Sequence, residues 1–355
     1  MKDRINHIEG LDSLRALSII FVLLLHGSYG HYKGGWVGVD IFFVVSGFLI
    51  TSILYQEFIK KGSISLINFY MRRALRLFPA LFLAIIISAI LWRFSCNNFL
   101  QGYDFRLAIL GAFFYFTNLI PGEISGNMSH FWSLAVEEHF YLFWPLVLTF
   151  FFFKINRRIG FVILSVIVLL SSLCRIFAFR NQMPFFNTGY NIDFYRFTFC
   201  RIDALLLGSV LSLSIAYFRN LHLFKNPKVN LIWLIIVFFI MIFVSVSIEN
   251  ANPILNAGFF IAINLLIVLM VFLVIQLDTH FLFENRVINW IGRRSYGIYL
   301  FHFPIFLYFE NYRVNHDAFN FIIITILRLF FTFLICGISY KYLEKPILAY
   351  KSRFL

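Results

Sequence analysis

Charged side chains are scarce in this sequence. They make up 13% of its 355 residues, whereas 61% of the residues are hydrophobic and 49 are phenylalanine. So few charges leave no room for a soluble domain. The composition therefore excludes the soluble classes and predicts a polytopic membrane protein surrounded by a lipid bilayer.

Cysteines are also few, and repeats and linkers are missing. The cysteines are scattered without a paired or metal-ligand spacing, at Cys96, Cys174, Cys200 and Cys336. This spacing excludes a disulfide framework and a zinc site, and it favours small buried hydrophobic residues. Without internal repeats, low-complexity tracts or linkers, residues 1–355 are predicted to form a single helical domain.

Acidic residues are outnumbered by basic ones. There are 17 against 30, which gives a formal net charge of +13. In a membrane protein such an excess is first a topology signal and second a sign of an anionic ligand. Nucleic acid is therefore not expected as a partner.

Long apolar stretches run along most of the chain. Met1–Gly27 resembles a signal peptide but lacks a convincing cleavage site, so it is expected to remain as the first span. Leu107–Leu119 is too short to cross and is expected to be re-entrant or interfacial. The predicted fold class is an all-α polytopic membrane protein with about ten transmembrane helices. These are predicted at Leu11–Gly27, Trp36–Tyr55, Leu77–Phe94, Phe131–Phe153, Ile159–Phe177, Phe197–Phe218, Val229–Ile248, Ile254–Leu277, Tyr296–Tyr312 and Phe319–Tyr340.

The distribution of basic residues predicts the orientation in the membrane. If Leu107–Leu119 does not cross, 20 of the 30 basic residues fall on one side, and the positive-inside rule assigns that side to the cytoplasm. Both termini are then predicted to be cytoplasmic. The opposite side receives Lys33, Arg93, Arg106, Arg175, Arg180, Arg196 and Arg313, which leaves Arg15, Arg201 and Arg328 within spans.

The first predicted span carries an arginine near one end and a histidine near the other. Arg15 and His26 are eleven residues apart, which is about three helical turns, so they share one face at depths about 16 Å apart. Burying an ionisable side chain in hydrocarbon costs roughly 2.5 kcal/mol or more, which makes both residues functional candidates. An interfacial role for His26 is the alternative.

Further charged residues lie on neighbouring predicted helices. Asp12 can pair with Arg15 or cap the helix, and Asp40 lies at the start of the second span. Arg201 and Asp203 do not face each other, so they are expected to find partners on other helices. Their role could be helix-to-helix contact alone.

A basic run precedes the third span. Within Met71–Pro79, Arg72 and Arg76 are one helical turn apart, and Arg73 lies between them. Paired guanidinium groups hold phosphates in bidentate geometry. A basic loop before a span is also what the positive-inside rule requires, so both interpretations stay open.

The segment His130–Tyr141 places two carboxylates in an otherwise aromatic membrane helix. His130, Ser133 and Glu137 fall on or near one face, where acid–base chemistry or structural pairing is expected. A metal is not expected, because Glu137 and His139 point roughly 200° apart on a helix.

A last cluster of polar residues lies in Ser295–Pro304. Ser295 and His302 are two turns apart on one face of a predicted helix. Tyr296 and His302 are therefore candidates for a site, although tyrosine and histidine also form interfacial belts.

Taken together, these motifs resemble the type-3 membrane acyltransferases. The resemblance spans essentially the whole chain, and the order and spacing of the motifs make it specific. The motifs are Leu11–Arg15 followed by His26, Gly38–Ile50, the Arg72–Pro79 run, Trp132–Leu134 with Glu137, and Ser295–His302.

The resemblance implies an integral enzyme of the bacterial inner membrane. Members move acetyl or other short acyl groups from cytoplasmic acyl-CoA to hydroxyls of extracytoplasmic carbohydrates such as O-antigen or exopolysaccharide. Acetyl-CoA or another short acyl-CoA is thus the expected co-substrate, without a metal, and a carbohydrate or glycolipid is the expected acceptor. No particular oligomeric state is predicted.

The resemblance also implies roles for individual residues. The essential Arg/His pair and the membrane carboxylate of the family match Arg15, His26 and Glu137. Its cytoplasmic arginine motif, which is expected to hold the CoA phosphates, matches Arg72, Arg73 and Arg76. Candidate supporting residues are Asp12, Asp40, Trp132, Ser133, Arg201, Asp203, Tyr296 and His302. The sequence departs from the family at His139, where glutamine is common.

Two mechanisms and one other function remain open. His26 is expected either to deprotonate the acceptor hydroxyl or to accept the acyl group itself. This sequence lacks the hydrolase-like domain that some members append, so acceptor handling is expected to fall to the membrane core, its short loops or a separate partner. The alternative function is a transporter or flippase of a polysaccharide precursor, although such proteins typically show internal repeats.

Overall fold

The chain folds as a set of α-helices. The computed structural model describes residues 9–28, 31–94, 103–181, 194–218, 226–277, 285–310, 312 and 318–354, and all regular secondary structure in these ranges is helical. The α-helices are α1 (Glu9–Gly27), α2 (Val37–Lys61), α3 (Leu66–Phe94), α4 (Phe105–Phe113), α5 (Gly122–Ser125), α6 (Trp132–Phe150), α7 (Arg157–Asn181), α8 (Thr198–Tyr217), α9 (Pro227–Ser247), α10 (Phe260–Gln276), α11 (Arg286–Glu310), α12 (Ala318–Ser339) and α13 (Lys345–Ala349).

Nine helical segments among the described residues are long and apolar enough to cross a membrane. They coincide with nine of the ten predicted spans. The remaining prediction, Tyr296–Tyr312, falls on α11, which is 25 residues long and carries Arg286, Arg293 and Arg294 in its first part. The chain is therefore a multi-pass membrane protein of the all-α class.

The apolar segment Leu107–Leu119, predicted to be too short to cross, overlaps the short helix α4. α4 has nine residues, which is about 14 Å of helix, whereas crossing a bilayer takes about 20 residues. Asp104 caps its start by accepting from the backbone N–H of Leu107 at 3.0 Å. Soon after its end, Tyr115 has a φ of 57°, a left-handed conformation incompatible with a continuing helix.

The helices group into two compact units, each drawn from separate stretches of the chain. The first unit comprises Met1–Ile64, His139–Phe185 and Phe197–Arg293. The second comprises Ser65–Glu138, Phe186–Arg196 and Arg294–Leu355. Candidate functional residues occur in both.

In the first unit, α2 packs against α1 and α8 with backbones in close contact. A Cβ atom on Gly47 of α2 would lie 1.9 Å from the carbonyl oxygen of Leu205 in α8. One on Gly38 of α2 would lie 2.3 Å from the carbonyl oxygen of Ser18 in α1. Since a real side chain would clash at both places, glycine is what allows α2 to approach both neighbours.

In the second unit, α12 continues beyond Ser339 instead of ending there. A π-helical turn, Tyr340–Glu344, leads into α13 and then into a 3-10 turn, Tyr350–Phe354. Both turns and α13 pack against α3. A π-helical turn adds a residue to the helical register, so it sets the direction in which the following residues leave α12.

Candidate active site

His26 lies in the last turn of α1 and is partly exposed. Its ring hydrogen-bonds the backbone of Val22, one turn earlier. Because the carbonyl oxygen only accepts, the ring nitrogen facing it carries the proton, and in a neutral imidazole the other nitrogen then carries the lone pair. This tautomer has the chemistry needed to take up a proton or an acyl group. Arg15 lies on the same helix and is partly exposed.

Asp12 contacts another helix. Its Oδ2 accepts from Nε of Arg293 in α11 at 3.1 Å. The adjacent Gly292 lies so close to α1 that a Cβ atom there would be 1.9 Å from the carbonyl oxygen of Asp12. This contact with α11 fixes the start of α1.

Asp40 and Arg201 form a buried ion pair between α2 and α8. Nη2 of Arg201 donates to Oδ1 of Asp40 at 2.7 Å, and neither side chain is more than 1% exposed. As expected from the sequence, Arg201 finds its partner on another helix.

Asp203 also has its partner on another helix. Nη2 of Arg175 in α7 donates to Oδ2 of Asp203 at 2.5 Å, while Nε of Arg175 donates to the carbonyl oxygen of Cys200 at 2.7 Å. Asn264 of α10 and Ser172 of α7 donate to the same carboxylate oxygen at 3.3 and 3.4 Å. Charges and amides from three helices therefore meet around one carboxylate.

Arg175, which the sequence count placed among the extracytoplasmic basic residues, lies within α7. Its side chain is 2% exposed inside the first unit. The guanidinium groups of Arg175 and Arg201 lie 4.4 and 5.2 Å from the ring centre of Phe260 in α10, so the two ion pairs share one aromatic neighbour. This geometry favours the helix-to-helix interpretation for both pairs.

The arginine motif lies in the second unit. Arg72, Arg73 and Arg76 belong to the first part of α3, and each is partly exposed. Nη1 of Arg72 donates to the carbonyl oxygen of Phe354 at 2.6 Å. The structure thus brings the three arginines together on one helix and places Tyr350–Phe354 beside them.

Two further side chains lie close to this motif. Glu344, 9% exposed, accepts from Oγ of Ser339 at 2.9 Å and lies within electrostatic range of Arg76. The hydroxyl of Tyr296 donates to the carbonyl oxygen of Leu77 at 3.2 Å. Tyr296 is therefore packed on the helix of the motif, and Glu344 adds a negative charge that sequence reasoning missed, since a lone glutamate among lysines forms no motif.

Ser133 belongs to a buried hydrogen-bond network between α6 and α11. The hydroxyls of Ser133 and Tyr299 lie 2.6 Å apart, and the Tyr299 hydroxyl donates to the carbonyl oxygen of His130 at 2.9 Å. Nε2 of His130 lies 3.1 Å from the carbonyl oxygen of Leu300, and Nδ1 of His302 lies 2.7 Å from that of Tyr299. Because carbonyl oxygens only accept, Nε2 of His130 and Nδ1 of His302 each carry a proton. His302 is buried, so it does not belong to an interfacial belt.

The remaining predicted residues lie on α6. The ring of Trp132 packs 5.2 Å from the ring of Tyr195. Glu137 is partly exposed and lies within electrostatic range of Tyr299. In the described ranges, no group of three or more histidines, cysteines or carboxylates could hold a metal ion.

Comparison with known proteins decides the family. The sequence matches the acyltransferase domain family over residues 8–341. The chain belongs to the type-3 acyltransferases. No solved structure is a significant match to it.

Several relatives of this type-3 acyltransferase chain come from Staphylococcus aureus. The candidate O-acetyltransferase SACOL0978 of strain COL is 31% identical over 371 residues, which are 97% of this chain and 58% of that protein. The O-acetyltransferase OatA of strain NCTC 8325 is 32% identical over 358 residues, which are 96% of this chain and 57% of that protein. The chain thus spans somewhat more than half the length of these relatives.

The match to the type-3 acyltransferases covers every site residue predicted from the sequence, from Asp12 to His302. It ends before Glu344 and Phe354, so their contacts with the arginine motif fall outside it. Arg175 also lies within the match. Its place inside the predicted span Ile159–Phe177 already indicated that its side chain could be buried.

Proposed function

We propose that this chain is an O-acyltransferase of the bacterial inner membrane. It moves an acyl group from cytoplasmic acyl-CoA to a hydroxyl of an extracytoplasmic carbohydrate, and the proposed acyl group is acetyl. Family membership supports acyl transfer. The names of the relatives support an acetyl group and an oxygen acceptor. The observation that carries the proposal is the partly exposed imidazole of His26 in the last turn of a membrane helix.

The donor site follows from the arginine motif. Acyl-CoA presents its acyl group on a carrier rich in phosphate, and guanidinium groups bind phosphate through paired N–H donors. Arg72, Arg73 and Arg76 are partly exposed along one helix, which supports such a role. On the predicted topology this end of α3 is cytoplasmic, where acyl-CoA is made.

In one route His26 acts as a general base. It removes the proton of the acceptor hydroxyl as the oxygen attacks the thioester carbonyl carbon. The carbon–sulfur bond then breaks, the new carbon–oxygen ester bond remains, and the CoA thiolate takes up a proton. His26 ends the cycle neutral once it gives up its proton.

In the other route His26 is the nucleophile. Its unprotonated nitrogen attacks the thioester, CoA leaves as the thiolate, and the acyl group stays on the imidazole. The acceptor hydroxyl then attacks this acyl-histidine, which forms the ester and restores the ring. A burst of CoA release without acceptor, together with label on the protein, would identify this route.

The test uses membranes that express the chain. They are supplied with acetyl-CoA labelled in the acetyl group and with a glycan-rich envelope extract, and both free CoA and labelled glycan are measured. We expect label in glycan with the intact chain and none with His26→Ala. The matched control is His31→Ala, which removes an exposed histidine just beyond α1 and should keep the activity.

Each outcome bears on the proposal. Full activity of His26→Ala would remove the central residue. Absence of CoA release and of acetyl-CoA binding in the intact chain would overturn acyl transfer from CoA, and movement of a glycan precursor without CoA would favour transport.

A further inference from the structure

The 3-10 turn Tyr350–Phe354 contributes a fourth cation to the arginine motif. The turn packs on α3, and the bond from Arg72 to the carbonyl oxygen of Phe354, at 2.6 Å, fixes it there. This bond uses one of the five N–H groups of a guanidinium. Lys351, within the turn, lies within electrostatic range of Arg72, Arg73 and Arg76.

Carboxylates also lie near the arginines of this cluster. Glu344 lies within electrostatic range of Arg76 and Arg294, and Glu138 within range of Arg73. Lys351 adds a further positive charge beside Arg72, Arg73 and Arg76.

Its surroundings disfavour the charged form of Lys351. Partial burial, followed by the charges of Arg76, Arg73 and Arg72, lowers the pKa of its ammonium below the usual value. Holding a charged lysine in this position therefore costs free energy. A bound polyanion would offset that cost, because each phosphate oxygen accepts charge-assisted hydrogen bonds.

Three consecutive helical elements lead the chain from α12 to Lys351. The π-helical turn Tyr340–Glu344 redirects the chain after α12, and Glu344 is secured inside it by Ser339 at 2.9 Å. The short helix α13 then carries the chain to the 3-10 turn beside α3. π-helical turns of this kind occur frequently at functional sites.

We propose that Lys351 binds a phosphate group of the acyl-CoA donor and that the Tyr350–Phe354 turn, held by Arg72, is part of the donor site. This inference rests on the proposed function. It extends that function because Lys351 lies beyond residues 8–341, the part matched to the family, and so was not among the residues implied by the resemblance. The nucleotide end of CoA, with its diphosphate and 3′-phosphate, has the chemistry that the cluster fits.

The test compares two acetyl donors with purified full-length protein in a neutral detergent. One is acetyl-CoA, and the other is acetyl-pantetheine, which carries the same thioester but no phosphate. For Lys351→Gln we expect KM for acetyl-CoA to rise about tenfold with kcat unchanged, the effect of losing one charge-assisted hydrogen bond. KM for acetyl-pantetheine should stay the same, which also shows that the variant is folded.

Matched variants sharpen the comparison. Lys345→Gln removes an equal charge from an exposed position in the same segment and should leave both KM values unchanged. Lys351→Arg keeps the charge and should restore most of the affinity for acetyl-CoA.

The outcomes separate this inference from the proposed function. If the intact chain uses neither donor, the proposed function fails and this inference with it. If the intact chain uses acetyl-CoA and Lys351→Gln has an unchanged KM, only this inference fails. An equal change of KM for both donors would show that Lys351 stabilises the fold. A change of KM that appears only after anionic phospholipid is added would show that Lys351 binds lipid. Either result overturns the inference.

Discussion

Arg201 and Asp40 form an ion pair at 2.7 Å in which both side chains are almost completely buried. The pair joins α8 to the start of α2, the helix that packs against α1. If either partner is removed, the other charge stays buried away from water. The stability of the first unit should therefore depend strongly on this pair.

Replacement of Asp40 should therefore destabilise the protein strongly. We expect Asp40→Ala to lower the free energy of unfolding by about 3–5 kcal/mol, because it leaves the charge of Arg201 buried and uncompensated. Thermal unfolding in detergent measures the effect. The control is Lys33→Ala, which breaks the exposed Lys33–Glu249 pair at 3.1 Å and should cost less than about 1 kcal/mol. Equal losses in the two variants would contradict the prediction.

Tyr299→Phe should be destabilising although it removes a single oxygen atom. The hydroxyl bonds both Ser133 and the carbonyl oxygen of His130 inside the second unit, so its loss should cost about 1–3 kcal/mol. Tyr308→Phe is the matched control on the same helix, because its hydroxyl bonds Tyr312 at an exposed position. Unfolding of the two variants side by side checks the difference, and a tolerant Tyr299→Phe would show that the network contributes little.

Gly47→Ala should disturb the packing of α2 on α8. The added Cβ atom would lie 1.9 Å from a backbone oxygen, and backbone cannot move aside as a flexible side chain can, so a loss of about 1–3 kcal/mol or more is expected. Gly337→Ala meets no atom within 4 Å in α12 and should stabilise by up to about 1 kcal/mol through helix propensity. Thermal unfolding of the pair checks the opposite signs, and a stabilised Gly47→Ala would refute the close contact.

The pH dependence of kcat/KM for acetyl-CoA should show the titration of Lys351. Burial and the charges of Arg76, Arg73 and Arg72 lower its pKa, so the ammonium loses its proton at a lower pH than an ordinary lysine. kcat/KM for acetyl-CoA, which reports groups of the free enzyme, should then fall with rising pH on the alkaline side. In Lys351→Arg this fall should disappear, because a guanidinium stays protonated there. An identical alkaline fall in both proteins would assign it to another group.

The helices were predictable from the sequence because bilayer thickness sets a minimum apolar length, and most segments exceed it. The same argument identified α4 as too short to cross. The first part of α11 was missed because its arginines interrupt the apolar pattern, although its register continues unbroken from Arg286.

The partners of the charged residues were harder to predict. Sequence spacing shows which residues share one helix face, and that logic suggested pairing Asp12 with Arg15. That logic could not predict the bond from Arg293, which lies 281 positions away and reaches Asp12 because Gly292 lets two backbones meet. The ion pair of Arg175 was not predicted, because a count of basic residues on each side does not register a buried carboxylate such as Asp203.

The position of Lys351 depends on the number of residues between α12 and the 3-10 turn. Deleting a single residue from α13 would rotate everything after it by about 100° about the helix axis. α12 itself would keep its place, while Lys351 and the carbonyl oxygen of Phe354 would swing away from α3. A change of length that alters no charge would thereby separate the two parts of the proposed phosphate site.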